Sequence, residues 1–300
     1  MTTKKKLLVS VVLLLPAFVI YTLFFIFPIC NTFVLSFYKW SGMAQANRVF
    51  IGLKNYIALF SQPAFYHSLF NSFVFILTSL VIIFPISFSL AMIVNTKSRT
   101  SSVLRTVYYL PTLIPMAATG LMWMFMLYQN GGAVNTLLSF VGIHARPDWL
   151  GNTNLVIWSI ALVNVWMFIG SNMLVFLTGL TGISDDILEA AVIDGAEGLK
   201  KVFYIIIPSM KETLKVFLTS AIAGSIQVFD IVYVMTDGGP GGASDVPATM
   251  QFNEAFLYNK FGYGSSIGVF ILVTSLIITL ILNYLLNDRD EKGDKTWIRI

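Results

Sequence analysis

Charge is scarce in this 300-residue sequence: 11% of residues are Asp, Glu, Lys or Arg, while 56% are hydrophobic. Soluble domains normally carry about 25% charged residues. A chain this apolar cannot cover itself with polar groups in water, and its mean hydropathy of +0.78 points to lipid as its solvent. Cysteine occurs once, at Cys30, which excludes an internal disulfide framework and a Cys-based metal site. The two histidines, His67 and His144, are too far apart in sequence to suggest a metal cluster. Also missing are G-x-x-x-x-G-K-[ST], which cradles nucleotide phosphates, and H-E-x-x-H, which holds a hydrolytic zinc. No catalytic residue, no metal ligand, no cofactor of the chain's own and no nucleic-acid partner is predicted.

What is present is long apolar runs. Crossing about 30 Å of hydrocarbon at 1.5 Å per residue takes about 20 residues. Six stretches are long enough: Leu7–Ile29, Leu69–Val94, Val107–Tyr128, Leu155–Leu177, Leu214–Met235 and Ile267–Leu286. Barrel strands would be about half as long and would alternate in polarity, so the spans are predicted to be helices and the fold class all-α. The first run exceeds a signal-peptide core of roughly 7–15 residues. No A-x-A site follows it, and Phe27-Pro28-Ile29 before Cys30 lacks the small residues of a lipidation site. It reads as a retained membrane helix.

Orientation follows from the basic residues of the connections. One side collects Lys4, Lys5, Lys6, Lys97, Arg99, Arg105, Lys200, Lys201, Lys211, Lys215, Arg289, Lys292, Lys295 and Arg299. The other holds Lys39, Arg48, Lys54, Arg146 and Lys260. Fourteen against five predicts both termini in the cytoplasm. The opposite loops are aromatic, with Trp40, Phe50, Tyr56, Phe60, Phe65 and Tyr66 in the first, Trp149 in the second, and Tyr258, Phe261 and Tyr263 in the third. That pattern suits interfacial anchoring or a docking surface for an external partner. The chain divides into a first helix and external loop (1–68), a core (69–286) and a cytoplasmic tail (287–300).

The loop between the fourth and fifth spans, 184–208, is unlike the others. Asp186 with Glu189 fits a capping box, helix formers follow, and Gly195 supplies a left-handed stop. A second short helix starts near Lys200, and Pro208 suits the first turn of the next element. Small Ala190, Ala191 and Ala196 would let a partner approach, and Ile187, Leu188 and Ile193 suit a groove.

At these residues the sequence resembles a known family. Glu189-Ala190-Ala191, Gly195, Ile205 and Ile207-Pro208 stand at the spacing of the EAA loop of binding-protein-dependent ABC importer permeases, with Ile207 where leucine is usual. Thr236-Asp237-Gly238-Gly239-Pro240, Gly52-Leu53-Lys54-Asn55-Tyr56, the pair Pro111 and Pro115, and Ile193-Asp194-Gly195-Ala196 extend the resemblance to the maltose-type sugar permeases, specifically the partner carrying T-x-G-G-P. The extra N-terminal helices and large external insert of the maltose permease are absent from this sequence.

The resemblance implies a type I importer permease fold in a bacterial-type cytoplasmic (inner) membrane. It implies a second homologous permease, a cytoplasmic ABC ATPase dimer that binds ATP and Mg, and an external sugar-binding protein. It also implies that Glu189, Ala190, Ala191, Asp194, Gly195 and Pro208 serve coupling to the ATPase. In register with that family, Asn164, with Met167 and Phe168 on one face, and Ala221, Ser225 and Val228 on another, fall along the substrate pathway; interhelical hydrogen bonding is the other reading of Asn164. Asp230, the one acidic residue inside a span, reads as a substrate contact, a structural group or a gate lining. Pro111 and Pro115 serve a gate or a static kink. An ion-coupled secondary transporter is the alternative class, with Asp230 as its single acidic candidate.

Overall fold

The computed structural model describes residues 3–286, residue 44 excepted, with side chains from residue 12 onward. The side chains of Lys4, Lys5 and Lys6, the tail 287–300 and its basic residues Arg289, Lys292, Lys295 and Arg299 lie outside the described residues. The chain divides into two units: Met1–Phe65 with Met250–Leu272, and Tyr66–Thr249 with Val273–Ile300.

The first unit opens with α1 (Thr3–Tyr21) and α2 (Phe27–Leu35), joined by a π-helical turn, Thr22–Ile26. Nearly every side chain from Val12 to Val34 faces outward, as expected of a helix whose contacts are lipid. A two-stranded hairpin, β1 (Tyr38–Lys39) and β2 (Val49–Phe50), pairs Tyr38 with Phe50. Then comes α3 (Lys54–Ser61). The Asn55 amide donates to the carbonyls of Ser36 (2.8 Å) and Tyr38 (3.0 Å), and the Tyr56 hydroxyl to Ser36 Oγ (2.7 Å). Asn55-Tyr56 of the G-L-K-N-Y segment thus satisfies carbonyls left open where α2 ends.

The second unit is built from α4 (Pro63–Thr78, whose first turn lies in the first unit), α5 (Phe84–Val94), α6 (Arg99–Leu113), α7 (Met116–Met126), α8 (Ala133–Phe140) and α9 (Val156–Thr181). It continues through α10 (Asp185–Ile193), α11 (Gly198–Lys201), α12 (Ile207–Ser209), α13 (Lys211–Ile226) and α14 (Asp230–Thr236). The chain closes through α15 (Pro247–Phe252) and α16 (Phe261–Leu286). Long α9 is the axis of the second unit. At one end Val156, Ile157 and Ile160 pack with Val74, Phe75, Ile231 and Val232. At the other, Met173 and Phe176 pack with Phe84, Phe88 and Phe217, whose rings meet at centroid distances of 5.0–5.9 Å. Gly170 lets α6 approach so closely that a Cβ there would fall on the Tyr108 carbonyl. Ser87 Oγ and Thr112 Oγ1 donate to the carbonyls of Ile169 and Met167, both at 2.8 Å.

Among the described residues five helical stretches are long and apolar enough to cross a membrane: Val12–Leu35, Pro63–Val94, Val156–Thr181, Lys211–Thr236 and Phe261–Leu286. The sixth predicted span, Val107–Tyr128, is not a single helix. It is the pair α6 and α7, bent by 93°. Of the two prolines, Pro111 lies inside α6 without interrupting it, and the break falls at Ile114-Pro115. Ile114 is extended (φ −76°, ψ 130°), because the ring of a following proline disfavours the helical region for the residue before it.

Three π-helical turns share a sequence reason. Thr22–Ile26, Ser79–Ile83 and Val202–Ile206 are each followed by one residue and then Pro28, Pro85 or Pro208. In each the intervening residue donates five residues back, Phe27 to Thr22, Phe84 to Ser79 and Ile207 to Val202. A proline ring collides with the carbonyl four residues earlier and offers it no N–H, and the wider turn moves that carbonyl aside. A fourth, Asn253–Leu257, has no such proline.

Candidate functional site

Within the second unit, α13 does not run straight into α14. It ends at Ile226, and Gln227, Val228 and Phe229 interrupt it, Phe229 at φ −138°, ψ −64°. Asp230 then opens α14, where an acidic group suits the positive end of the helix. The predicted fifth span, Leu214–Met235, is therefore broken where its most polar residues lie.

Beside the break is a cavity of about 410 Å³. Asn164, Phe168, Ser171, Asn172 and Val175 of α9 line one side, and Ser220, Ala221, Gly224 and Ser225 of α13 the other. Gln227, Val228 and Asp230 line the break, and Phe75 and Met116 close the remainder with Ser79 and Ile83. Interrupted backbone at membrane depth is tolerated where it borders such a cavity.

Of the residues predicted for the pathway, Asn164, Phe168, Ala221, Ser225, Val228 and Asp230 all line this one cavity. Met167 does not. It is buried, and its carbonyl accepts from Thr112. At about 100° per residue, Met167 lies to one side of Asn164, whereas the cavity centres on the other, toward Phe168 and Asn172. Asn172 was missed; it stands one turn beyond Phe168, and the face simply had to be extended.

The hydrogen bonds of the lining decide what it can offer. Ser171 Oγ donates to the Phe168 carbonyl (3.1 Å) and Ser225 Oγ to Ala221 (2.6 Å), so both hydroxyl protons are already engaged. Asn172 Nδ2 also donates to Phe168 (2.8 Å). The side chains of Asn164, Gln227 and Asp230 have no hydrogen-bond partner among the described residues. Among the described residues no Lys, Arg or His lines the cavity.

A second feature is the 184–208 loop. The left-handed stop predicted at Gly195 is present at φ +77°. Gly195 N–H donates to Val192 and Ala196 N–H to Ala191, the paired bonds of a Schellman ending. The capping box is not formed. Ser184 is the N-cap, no side chain caps the helix, and Asp185 and Asp186 sit in its first turn. Leu188 and Ile207 pack toward the core beside buried Ala191 and Ile206, and Lys201 Nζ donates to the Leu188 carbonyl (3.1 Å), tying the helix pair together. Glu189, Ala190, Asp194, Gly195 and Pro208 are exposed. So are Ile187, Phe203 and Tyr204, with Ile193 at 86% and Leu199 at 75%.

The glycine-rich turn after α14 is also ordered by side chains. Thr236 Oγ1 and Ser244 Oγ are 2.7 Å apart, and Ser244 Oγ donates to the Gly239 carbonyl. Gly238 has φ +81°, and a Cβ on it would fall on the Asp245 carboxylate. Thr249 donates to that carboxylate (2.9 Å). Burial raises the Asp245 pKa from 3.8 to about 6; the Thr249 bond opposes the rise, Asp237 adds to it and His67 opposes it. A cavity of about 540 Å³ borders this turn, with Tyr128, Gln129 and Asp148 among its walls. Among the described residues there is no cluster of His, Cys, Asp or Glu suited to a metal ion.

Residues 83–290 match the family described as binding-protein-dependent transport system inner membrane component. The chain is 33% identical over 270 residues, 89% of its length and 92% of the relative's, to a Bacillus subtilis protein described as "Probable ABC transporter permease protein YurN". It is 32% identical to the trehalose/maltose transport system permease protein MalF of Thermococcus litoralis, covering 91% of each chain. Among solved structures it resembles a chain of a bacterial ABC transporter involved in import of the acidic polysaccharide alginate, with TM-score 0.80, 22% identity, and coverage of 94% of this chain and 96% of that one. That likeness is one of fold.

Proposed function

We propose, from the premise that this chain belongs to the binding-protein-dependent transport system inner membrane component family, that it carries a saccharide across the inner membrane. It is a transport subunit of an ABC importer and not an enzyme. In this reading a separate cytoplasmic ATPase dimer hydrolyses ATP, a second homologous permease completes the pathway, and an external binding protein delivers the solute. Both termini and the 184–208 loop then face the cytoplasm.

The observation that carries the coupling role is α10, a helix with an ordered end and an exposed apolar face. Ile193 and Leu199 stand out in a segment otherwise tied to the core by Leu188, Lys201 and Ile207. Such a face suits a groove in a soluble partner. Glu189, Ala190, Ala191, Asp194 and Gly195 belong to that helix and its end, with Pro208 two helices on. Asn164, Phe168, Ala221, Ser225, Val228 and Asp230 serve the pathway through the cavity they line, and Met167 supports the α6–α9 contact. The relatives described as trehalose/maltose and arabinooligosaccharide permeases favour a sugar or oligosaccharide. Membership in this family leaves the ion-coupled alternative without support.

The test is purification of the chain from its native membrane followed by reconstitution. ATPase and a second permease co-purify, and uptake follows ATP and not an ion gradient. A chain that transports alone, without ATP, would sink this reading.

A further inference from the structure

A cavity that holds a solute by hydrogen bonds also selects against solutes whose bonding groups duplicate its own. On this chain's side of the pathway the lining carries one carboxylate, Asp230, and among the described residues no basic group to balance it. Ser171 and Ser225 have their protons engaged by backbone carbonyls and present only lone pairs. Asn172 has one N–H engaged and keeps its carbonyl oxygen. Asp230 is acceptor-only when ionised, and among the described residues no basic side chain lines the cavity. Neutral donors are present as well: the amides of Asn164 and Gln227, the second proton of Asn172, the hydroxyl of Ser220 and the backbone N–H groups where α14 begins. Against the carboxylate stands the first turn of α7, which reaches the wall at Met116. A helix N-terminus carries about half an elementary charge, less than the full charge of an ionised carboxylate.

We infer that this cavity takes neutral or amino-bearing saccharides and rejects those bearing a carboxylate, sulfonate or phosphate, with Asp230 as the residue that sets the preference. The inference rests on the saccharide reading above and narrows it. A sugar hydroxyl or ammonium donates to these lone pairs. An anionic substituent has acceptors only, and it would give up water beside a like charge.

The experiment uses the purified permease–ATPase complex without its binding protein, so that selection upstream does not enter. Four monosaccharide probes are titrated by saturation-transfer NMR: methyl glucoside, glucosamine, glucuronate and glucose 6-phosphate. The wild-type complex is expected to bind glucosamine at least as tightly as the glucoside and the two anions roughly tenfold more weakly, the effect of one unfavourable charge contact. Asp230→Asn brings all four within about threefold of one another, and Asp230→Lys reverses the order. Equal binding of glucuronate and glucoside by the wild-type complex overturns the inference and leaves the saccharide reading standing. So does an order unchanged in Asp230→Asn complexes that retain both partners. Binding of none of the four by a complex that retains both partners overturns the inference, while the saccharide reading stands or falls by the reconstituted uptake.

Discussion

Asn71 and Asp245 are 174 residues apart, and the Asn71 side chain donates to the Asp245 backbone carbonyl at 2.8 Å. The same amide group donates to the Ala243 carbonyl at 3.0 Å. One buried side chain on α4 thereby satisfies two carbonyls of the turn that follows T-x-G-G-P. Asn71→Ala leaves those carbonyls without their partner, at a cost of about 1–3 kcal/mol. The purified variant should melt several degrees lower and lose uptake before it loses expression. An unchanged melting curve would mean that the turn holds its shape by other means.

The Asp245 carboxyl, in the same turn, gives a pH dependence with a definite sign. Its folded pKa of about 6 lies above the ordinary 3.8, so between those values the folded state binds more protons than the unfolded state. Stability therefore falls as pH rises from about 4 to about 6 and is level above that. Asp245→Asn can still accept from Thr249 and has no proton to lose. The variant should match the wild-type melting temperature near pH 4 and exceed it by a few degrees at pH 7. Parallel curves across that range would show that the carboxyl is not held as described.

Two glycines separate stability from coupling. At Gly195 a Cβ would meet nothing within 4 Å, but φ is +77°, so Gly195→Ala costs about 1–2 kcal/mol of local strain, concentrated in the Schellman ending. At Gly170 the backbone is ordinary, but a Cβ would collide with the Tyr108 carbonyl, and forcing α6 from α9 costs about 1–3 kcal/mol or more. Gly195→Ala should lower the melting temperature less than Gly170→Ala does, while weakening retention of the ATPase. Gly170→Ala should lower the melting temperature and leave any intact molecules coupled. Melting curves and pull-downs on both variants decide it.

Ile193 is 86% exposed, so Ile193→Asp should change stability by no more than about 0.5 kcal/mol. If the α10 face seats in a partner's groove, the same change removes ATPase from the purified complex and reduces uptake at least tenfold. Retention of the ATPase at wild-type stoichiometry would place the contact elsewhere.

Much of this was legible in the sequence because membrane depth fixes a length and lipid forbids unpaired backbone. Five of the six spans follow from that alone. The Gly195 stop was legible because few residues but glycine accept its φ. The bend at Ile114-Pro115 was half legible: proline marks a place where a helix can fail, and Pro111, three residues inside α6, shows that it need not. The break at Gln227–Phe229 had no proline or glycine to announce it. Met167 was placed on the pathway because a helical face drawn from Asn164 is symmetric, while the cavity lies to one side. The Asn71 bonds join segments too distant for any local pattern to connect.

The π turns bear on how this chain tolerates a change in its length. Each carries one residue more than an α-helical turn and rotates everything beyond it by about 100°. Each thus accommodates one extra residue in place, and in three of them a proline follows. A single-codon deletion inside 79–83, paired with Pro85→Ala, would return Pro63–Val94 to one continuous α-helix. Its two halves would keep their faces, because the turn already undoes the register shift that the extra residue would impose. The same deletion a few codons away, in Phe84–Val94, would turn Ser87 from the Ile169 carbonyl and scramble the contact with α9. Most of the helix admits substitution; these short windows also admit subtraction.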